Sequence, residues 1–192
     1  MNKIKFFYGL SGTFKTVSIT AEPVYQCLNP PVVWSMIKLW KDLDSTIFSG
    51  KVEQNHLNFA LLHLCCLENQ LKNVRNKRAA TVFSERGVSD PLFYYGDGYS
   101  EEWFGGVMEK ERELCEGFEV EKVLLVQKDE NFIRNVILKE PHRNAVFPSV
   151  SDYLEKQEKY VSFTEKYNAI TEKIEIGDSR KYIESLGLTF KI

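Results

Sequence analysis

Lys3 to Thr16 reads KIKFFYGLSGTFKT. Ile4, Phe6, Phe7 and Tyr8 make a short apolar run of the kind a buried strand uses. The run passes directly into a glycine-containing turn that ends in Lys15-Thr16. This is the layout of a P-loop, G-x-x-x-x-G-K-[ST], with Phe14 in place of the second motif glycine and Gly12 inside the loop. The chemistry needs that layout. Successive backbone N–H groups of such a turn cradle phosphate oxygens, the lysine reaches the β/γ-phosphates, and the hydroxyl of the last residue can hold Mg²⁺. The stretch therefore predicts a strand, a phosphate-binding turn and a helix from about Lys15.

Working outward, the rest of the chain alternates in the same manner. Glu22-Pro23-Val24-Tyr25 interrupts the first helix, and Pro30-Pro31 opens a second that runs through Trp34, Ile37 and Trp40 to about Leu43. Leu57, Leu61, Leu64, Leu67, Leu71 and Val74 predict a long amphipathic helix over about 52–74. Ala80 to Phe83 reads as a strand leading into Ser84-Glu85-Arg86-Gly87. Gly96-Asp97-Gly98 reads as a turn, and Ser100 as a helix cap with Glu101 and Glu102 after it. Val120 to Gln127 reads as a buried strand. A polar, basic segment follows over about 129–147. Ser149 and Asp152 have capping spacing for a helix to about Tyr167, Ile170 to Ile176 reads as a last strand, and Arg180 to Leu186 as a terminal helix. Alternating strands and helices predict an α/β fold, three layers with a mainly parallel sheet flanked by helices. No linker or repeat interrupts the pattern, so 1–192 is expected to form a single domain. In such sheets ligands sit beyond the carboxyl ends of the strands, where both the Gly9–Thr16 turn and Glu85-Arg86 fall.

Composition narrows the function. The chain has 192 residues, 43% of them hydrophobic, enough for a globular core. A formal net charge of −2 argues against a general nucleic-acid binder with a basic surface. Cys27, Cys65, Cys66 and Cys115 show no C-x-x-C spacing and read as buried free thiols of a cytoplasmic protein. His56 and His63 are too few to suggest a metal centre. The longest apolar run, Phe59 to Leu67, is too short to span a membrane, and the one after Lys5 too short for a signal peptide.

Phosphoryl transfer needs a phosphate cradle, a magnesium site, cations for the transferring group and a carboxylate near the attacking hydroxyl. Glu85-Arg86 follows a strand and can face a crevice. Arg134, Lys139, Arg143 and Lys128 lie in a segment without a strong apolar pattern, as a mobile basic lid over phosphates would. The aromatics Trp34, Trp40, Phe59, Phe93, Tyr94 and Tyr95 fit core packing better than base stacking.

Four segments together resemble the deoxynucleoside kinase family and, more distantly, thymidylate kinases. They are the Gly9–Thr16 loop, Glu22-Pro23-Val24, Phe83 to Asp90 (FSERGVSD), and Tyr153 to Tyr160 (YLEKQEKY). The resemblance implies a P-loop kinase fold whose basic lid spans about 129–147. It implies ATP and Mg²⁺ as cofactors, with a deoxynucleoside or nucleoside monophosphate as acceptor. Gly9, Ser11, Gly12, Thr13, Phe14, Lys15 and Thr16, with Arg134 and Arg143, would bind phosphates. Thr16 and Glu85 would serve the metal. Glu22, Glu85 and Arg86 would be catalytic, Glu22 as base for the sugar hydroxyl. Asn58, on the long helix, and Asp90 would bind substrate. Only six residues separate Lys15 from Glu22, fewer than the family uses, and the lid is sparse in arginine. Two other readings fit the residues: a kinase acting on a polynucleotide, and an inactive nucleotide-binding protein with a degenerate loop. The long apolar helix also offers a face for a homodimer.

Overall fold

The computed structural model describes residues 2–21, 27–28, 52–76, 80–95 and 101–189. Five strands form one sheet: β1 (Lys3–Tyr8), β2 (Cys27–Leu28), β3 (Thr81–Glu85), β4 (Glu119–Gln127) and β5 (Glu172–Ile176), in the order β2-β3-β1-β4-β5. β2 pairs parallel with β3, with Cys27 opposite Phe83. β4 pairs parallel with β5, from Val123–Glu172 to Gln127–Ile176. Parallel neighbours require crossover connections, and helices supply them. The α/β class with a parallel sheet and flanking helices is the one the alternating sequence predicts. Among the described residues no helix is long and apolar enough to cross a membrane.

The chain divides into two compact units. One comprises Met1–Phe6 and Gln26–Glu121, the other Phe7–Tyr25 and Lys122–Ile192. In the first, α2 (Val52–Val74) packs on α3 (Ser89–Tyr95) and α4 (Glu101–Leu114). Its buried face is Ala60, Leu64, Leu67, Leu71 and Val74, a 4-3-4-3 repeat that keeps one stripe inward. Leu61, expected on that stripe, is half exposed because it lies one position round the helix from Ala60. At about 100° per residue, Leu61 falls outside this narrow stripe. Cys65 is accordingly exposed and Cys66 half-buried, against the expected burial of both; Cys115 is buried, and all three are free.

In the second unit, α1 (Lys15–Thr20) follows the glycine loop. After β4 the chain makes α5 (Glu130–Phe132), a π-helical turn (Ile133–Ile137) and α6 (Pro141–Asn144). The stretch read as lacking an apolar pattern buries Ile133, Ile137 and Phe147. Leu138 N–H closes the wide turn on the Ile133 carbonyl at 2.9 Å, and Ile133 and Ile137, four residues apart, share the buried face. α7 (Val150–Tyr167) begins where the sequence predicts: the Ser149 hydroxyl caps it by accepting from the Asp152 N–H at 3.1 Å. α8 (Ser179–Ser185) closes the described chain, capped by Asp178. The helix expected over 30–43, the turn at 96–98 and the cap at Ser100 lie outside the described residues. β2 and α3 were not legible: two residues carry no periodicity, and Pro91 masks a short helix whose first turn it occupies.

Candidate functional site

The loop between β1 and α1 is shaped by its own residues. Gly9 has φ 151° and Gly12 φ 90°, both in territory that L side chains rarely adopt. A Cβ at Gly9 would run into the Thr13 hydroxyl and lie 2.8 Å from the Leu125 carbonyl oxygen. One at Gly12 would lie 2.6 Å from Cδ1 of Ile137. Thr13, fully buried, donates its hydroxyl to the Leu10 carbonyl at 2.9 Å. Lys15 turns back over the loop: its Nζ donates to the carbonyls of Gly9 at 2.7 Å and Leu10 at 2.9 Å and is almost wholly buried. An ammonium held against the loop's own carbonyls carries its charge into the turn, where an anion would meet it. Thr16, next in sequence, is exposed.

Phe14 is the departure from the motif, and the structure accounts for it. It adopts φ 61°, ψ 19°, the left-handed conformation that glycine would take at no cost. For an L residue this costs about 1–2 kcal/mol. Its ring lies 4.7 Å from that of Phe132 and 5.9 Å from that of Tyr182, centroid to centroid. Such pairs contribute about 0.5–1.5 kcal/mol each, enough to offset the backbone cost. The Phe14 carbonyl accepts from the Ser18 hydroxyl at 2.9 Å, and that hydroxyl also pairs with the Tyr182 phenol at 2.8 Å. Burial pushes the Tyr182 pKa up, opposed by the Ser18 hydrogen bond.

Helix α7 fixes the loop from outside. The Tyr160 phenol accepts from the Gly9 N–H at 3.1 Å, and the Tyr153 phenol donates to the Ser11 carbonyl at 2.9 Å. Both rings are buried, with Gln157 and Thr164 on the same face. Polar-tipped residues at 4-3-4 spacing were the available signal for this support, one the loop reading missed. Asp129 connects two further pieces: its carboxylate accepts from the N–H of Phe132 and of Ser179, each at 3.0 Å.

Of the basic residues expected over phosphates, Arg134 and Lys139 are exposed. Arg143 is half-buried, and its Nε is buried without a hydrogen-bond partner among the described residues. A guanidinium N–H left in that state leaves a donor for an added acceptor.

The other candidates belong to the first unit. Glu85 ends β3, half-buried. Arg86, at φ 87°, pairs its guanidinium with the buried Asp90 carboxylate, and its carbonyl accepts from the Ser84 hydroxyl at 2.7 Å. The structure thus joins Arg86 and Asp90, to which the sequence reading assigns separate roles. Glu111, unforeseen, is buried and accepts from the Val88 N–H at 2.6 Å, fixing the turn that carries Arg86. Asn58 lies on α2, its side chain outside the described set, and Glu22 is outside the described residues altogether. Among the described residues no group of three or more His, Cys, Asp or Glu could hold a metal ion. A nucleotide-bound Mg²⁺ takes few protein ligands beside phosphate and water, so an exposed hydroxyl after the lysine is compatible with it.

No protein-family model matches the chain, and no curated protein matches it. Among solved structures, thymidylate kinase from Ehrlichia chaffeensis is similar, with a TM-score of 0.49 and 8% identity over 96% of this chain and 94% of that one. The functional reading therefore rests on the loop itself.

Proposed function

We propose that this protein binds ATP at the Gly9–Thr16 loop and transfers its γ-phosphoryl group to a deoxynucleoside or nucleoside monophosphate. The observation that carries the reading is Lys15, an almost wholly buried ammonium folded onto the carbonyls of a turn with positive φ at Gly9, Gly12 and Phe14. Incoming phosphate oxygens would replace those carbonyls as acceptors. The Arg143 guanidinium, whose Nε has no hydrogen-bond partner among the described residues, would meet the phosphates with Arg134, both from the basic segment over 129–147 taken as the lid. Thr16 and Glu85 would hold Mg²⁺, which when bound neutralises charge on the phosphates. In the transfer, an acceptor oxygen, the hydroxyl of a deoxynucleoside or a phosphate oxygen of a nucleoside monophosphate, bonds to the γ-phosphorus as the bond from that phosphorus to the bridging oxygen breaks. ADP leaves with the electron pair, and for a hydroxyl acceptor Glu22 takes the proton. Arg86 would stabilise charge on the moving group, and Asn58 and Asp90 would orient the acceptor. The four-segment resemblance supports this acceptor class, and we place the protein in the cytoplasm, with the long helix available for a homodimer.

The test is transfer of labelled phosphate from ATP to a panel of nucleosides, nucleoside monophosphates and oligonucleotides, with melting temperature followed alongside. We expect ATP with Mg²⁺ to raise the melting temperature and a small nucleoside or nucleotide to be labelled. Labelling of oligonucleotides alone would favour a polynucleotide kinase. Stabilisation by ATP without transfer to any acceptor would leave a binding protein.

A further inference from the structure

Phe14 is neither the glycine the loop motif uses nor a residue at ease in its conformation, and three separate segments hold it. Its ring lies against Phe132, from the turn after β4, and Tyr182, from the last described helix. Its carbonyl is tied through the Ser18 hydroxyl to the Tyr182 phenol. Asp129 fixes the two outer rings from behind, one carboxylate oxygen accepting from the Phe132 N–H and the other from the Ser179 N–H. Gln127 reinforces the second link, its amide donating to the Ser179 hydroxyl at 3.3 Å.

We propose that Phe132 and Tyr182 are positioning residues that hold Phe14 in the left-handed conformation and so keep the phosphate loop in its binding shape. A glycine loop reaches that shape without help. This loop has exchanged backbone freedom for an aromatic clamp, and helix α8 becomes a working part of the triphosphate site without touching the triphosphate. The consequence for ATP rests on the function proposed above; the consequence for loop shape does not.

The experiment is a double-mutant cycle with two readouts: the dissociation constant for ATP with Mg²⁺, and amide hydrogen exchange of residues 9–16 without nucleotide. Tyr182→Ala should weaken ATP binding about tenfold and speed loop exchange about tenfold. Phe132→Ala should act in the same direction. Tyr182→Phe keeps the ring and should stay within about threefold of wild type on both readouts. In the Phe14→Gly background, Tyr182→Ala should change either readout by less than about twofold, because the loop no longer needs the clamp. Should Tyr182→Ala fail to fold, Tyr182→Leu keeps bulk without the aromatic face and carries the same expectation. Loop exchange unchanged in Tyr182→Ala and Phe132→Ala overturns the proposal. So does a Tyr182→Ala effect on loop exchange that is equally large in wild type and in the Phe14→Gly background. Absence of ATP binding by wild type would overturn the function proposed above, while the exchange cycle still decides the clamp.

Discussion

Two of the described residues do the same unusual thing by different means. Phe14, between β1 and α1, and Arg86, between β3 and α3, both hold a positive φ without being glycine, at 61° and 87°. Phe14 is restrained by ring packing against Phe132 and Tyr182. Arg86 is restrained by charge and hydrogen bonding: its guanidinium pairs with Asp90, its carbonyl accepts from Ser84, and Glu111 fixes the following turn through Val88. The difference teaches what each position can be used for. Packing around Phe14 leaves the Lys15 charge free of the task of holding that backbone, for the phosphate role proposed for it. At Arg86 the guanidinium that holds the backbone is the same one proposed to serve the transfer, so there restraint and proposed function coincide.

The largest expected effect tests the first half of that contrast. Lys15→Ala should weaken ATP binding by about 100-fold or more and lower the melting temperature without nucleotide only modestly, since the Gly9 and Leu10 carbonyls lose their donor while the Phe14 packing stays. Calorimetric titration and thermal melting check both parts, and unchanged nucleotide affinity would remove the loop from the site. Next is Arg86→Ala, which should lower kcat by about 100-fold with a smaller change in ATP affinity. Because the same side chain anchors Asp90, this variant should also melt earlier, and steady-state kinetics beside melting curves would reveal whether the two losses travel together. A variant losing activity with no loss of stability would break the comparison.

Phe14→Ala keeps the backbone demand but removes the rings, and should destabilise the protein by about 2 kcal/mol. Phe14→Gly should cost about 1 kcal/mol less, because glycine relieves the left-handed conformation. Denaturant midpoints distinguish the two, and an identical loss in both would mean the backbone strain is immaterial.

The smallest effect is in pH. His63 on α2 has a buried, unpartnered Nε2 among the described residues, and burial holds its pKa below the ordinary value, opposed by Glu111 and Asp90 and aided by Arg86. The folded protein therefore keeps it neutral where the unfolded chain binds a proton. Its contribution to stability is present above about pH 6.5 and lost as pH falls below that value. Asp129, behind the Phe14 clamp, works in a different window. Burial acts to raise its pKa, but the Ser179 and Phe132 N–H groups and the Ser179 hydroxyl hold it below the usual aspartate value. Its contribution persists until more acidic pH, fading as pH falls through that depressed pKa. Melting temperatures from about pH 7.5 down to about pH 5 should fall for wild type and fall less for His63→Leu. A slope unchanged by that substitution would place the titration elsewhere.

How legible each half was follows from the same physics. The strand–loop–helix start was readable because an apolar run, two glycines and Lys15-Thr16 lie within one short stretch. The buried stripe of α2, the Ser149 cap and the Val123–Val126 strand were readable because periodicity and capping are local. What supports the loop was not readable as such. Tyr153, Tyr160, Phe132 and Tyr182 are ordinary core aromatics in sequence, and only the return of the chain brings them to Gly9, Ser11 and Phe14. Nor was the burial of Ile133 and Ile137: their spacing of four is helical, but Arg134, Asn135, Lys139 and Glu140 around them make the segment polar in composition. Arg86 could be picked out beside its strand, but not its tie to Asp90, which depends on a short helix opening across Pro91.

The two tyrosine hydroxyls on α7 reach back 151 residues to Gly9 and 142 to Ser11. A ribosome delivers the loop before its supports. Contacts of such long sequence separation form slowly, so until α7 is made the chain carries this loop without the tyrosines that pin it. A truncated or stalled product, lacking α7, would carry the whole loop sequence without the two hydroxyls that hold Gly9 and Ser11.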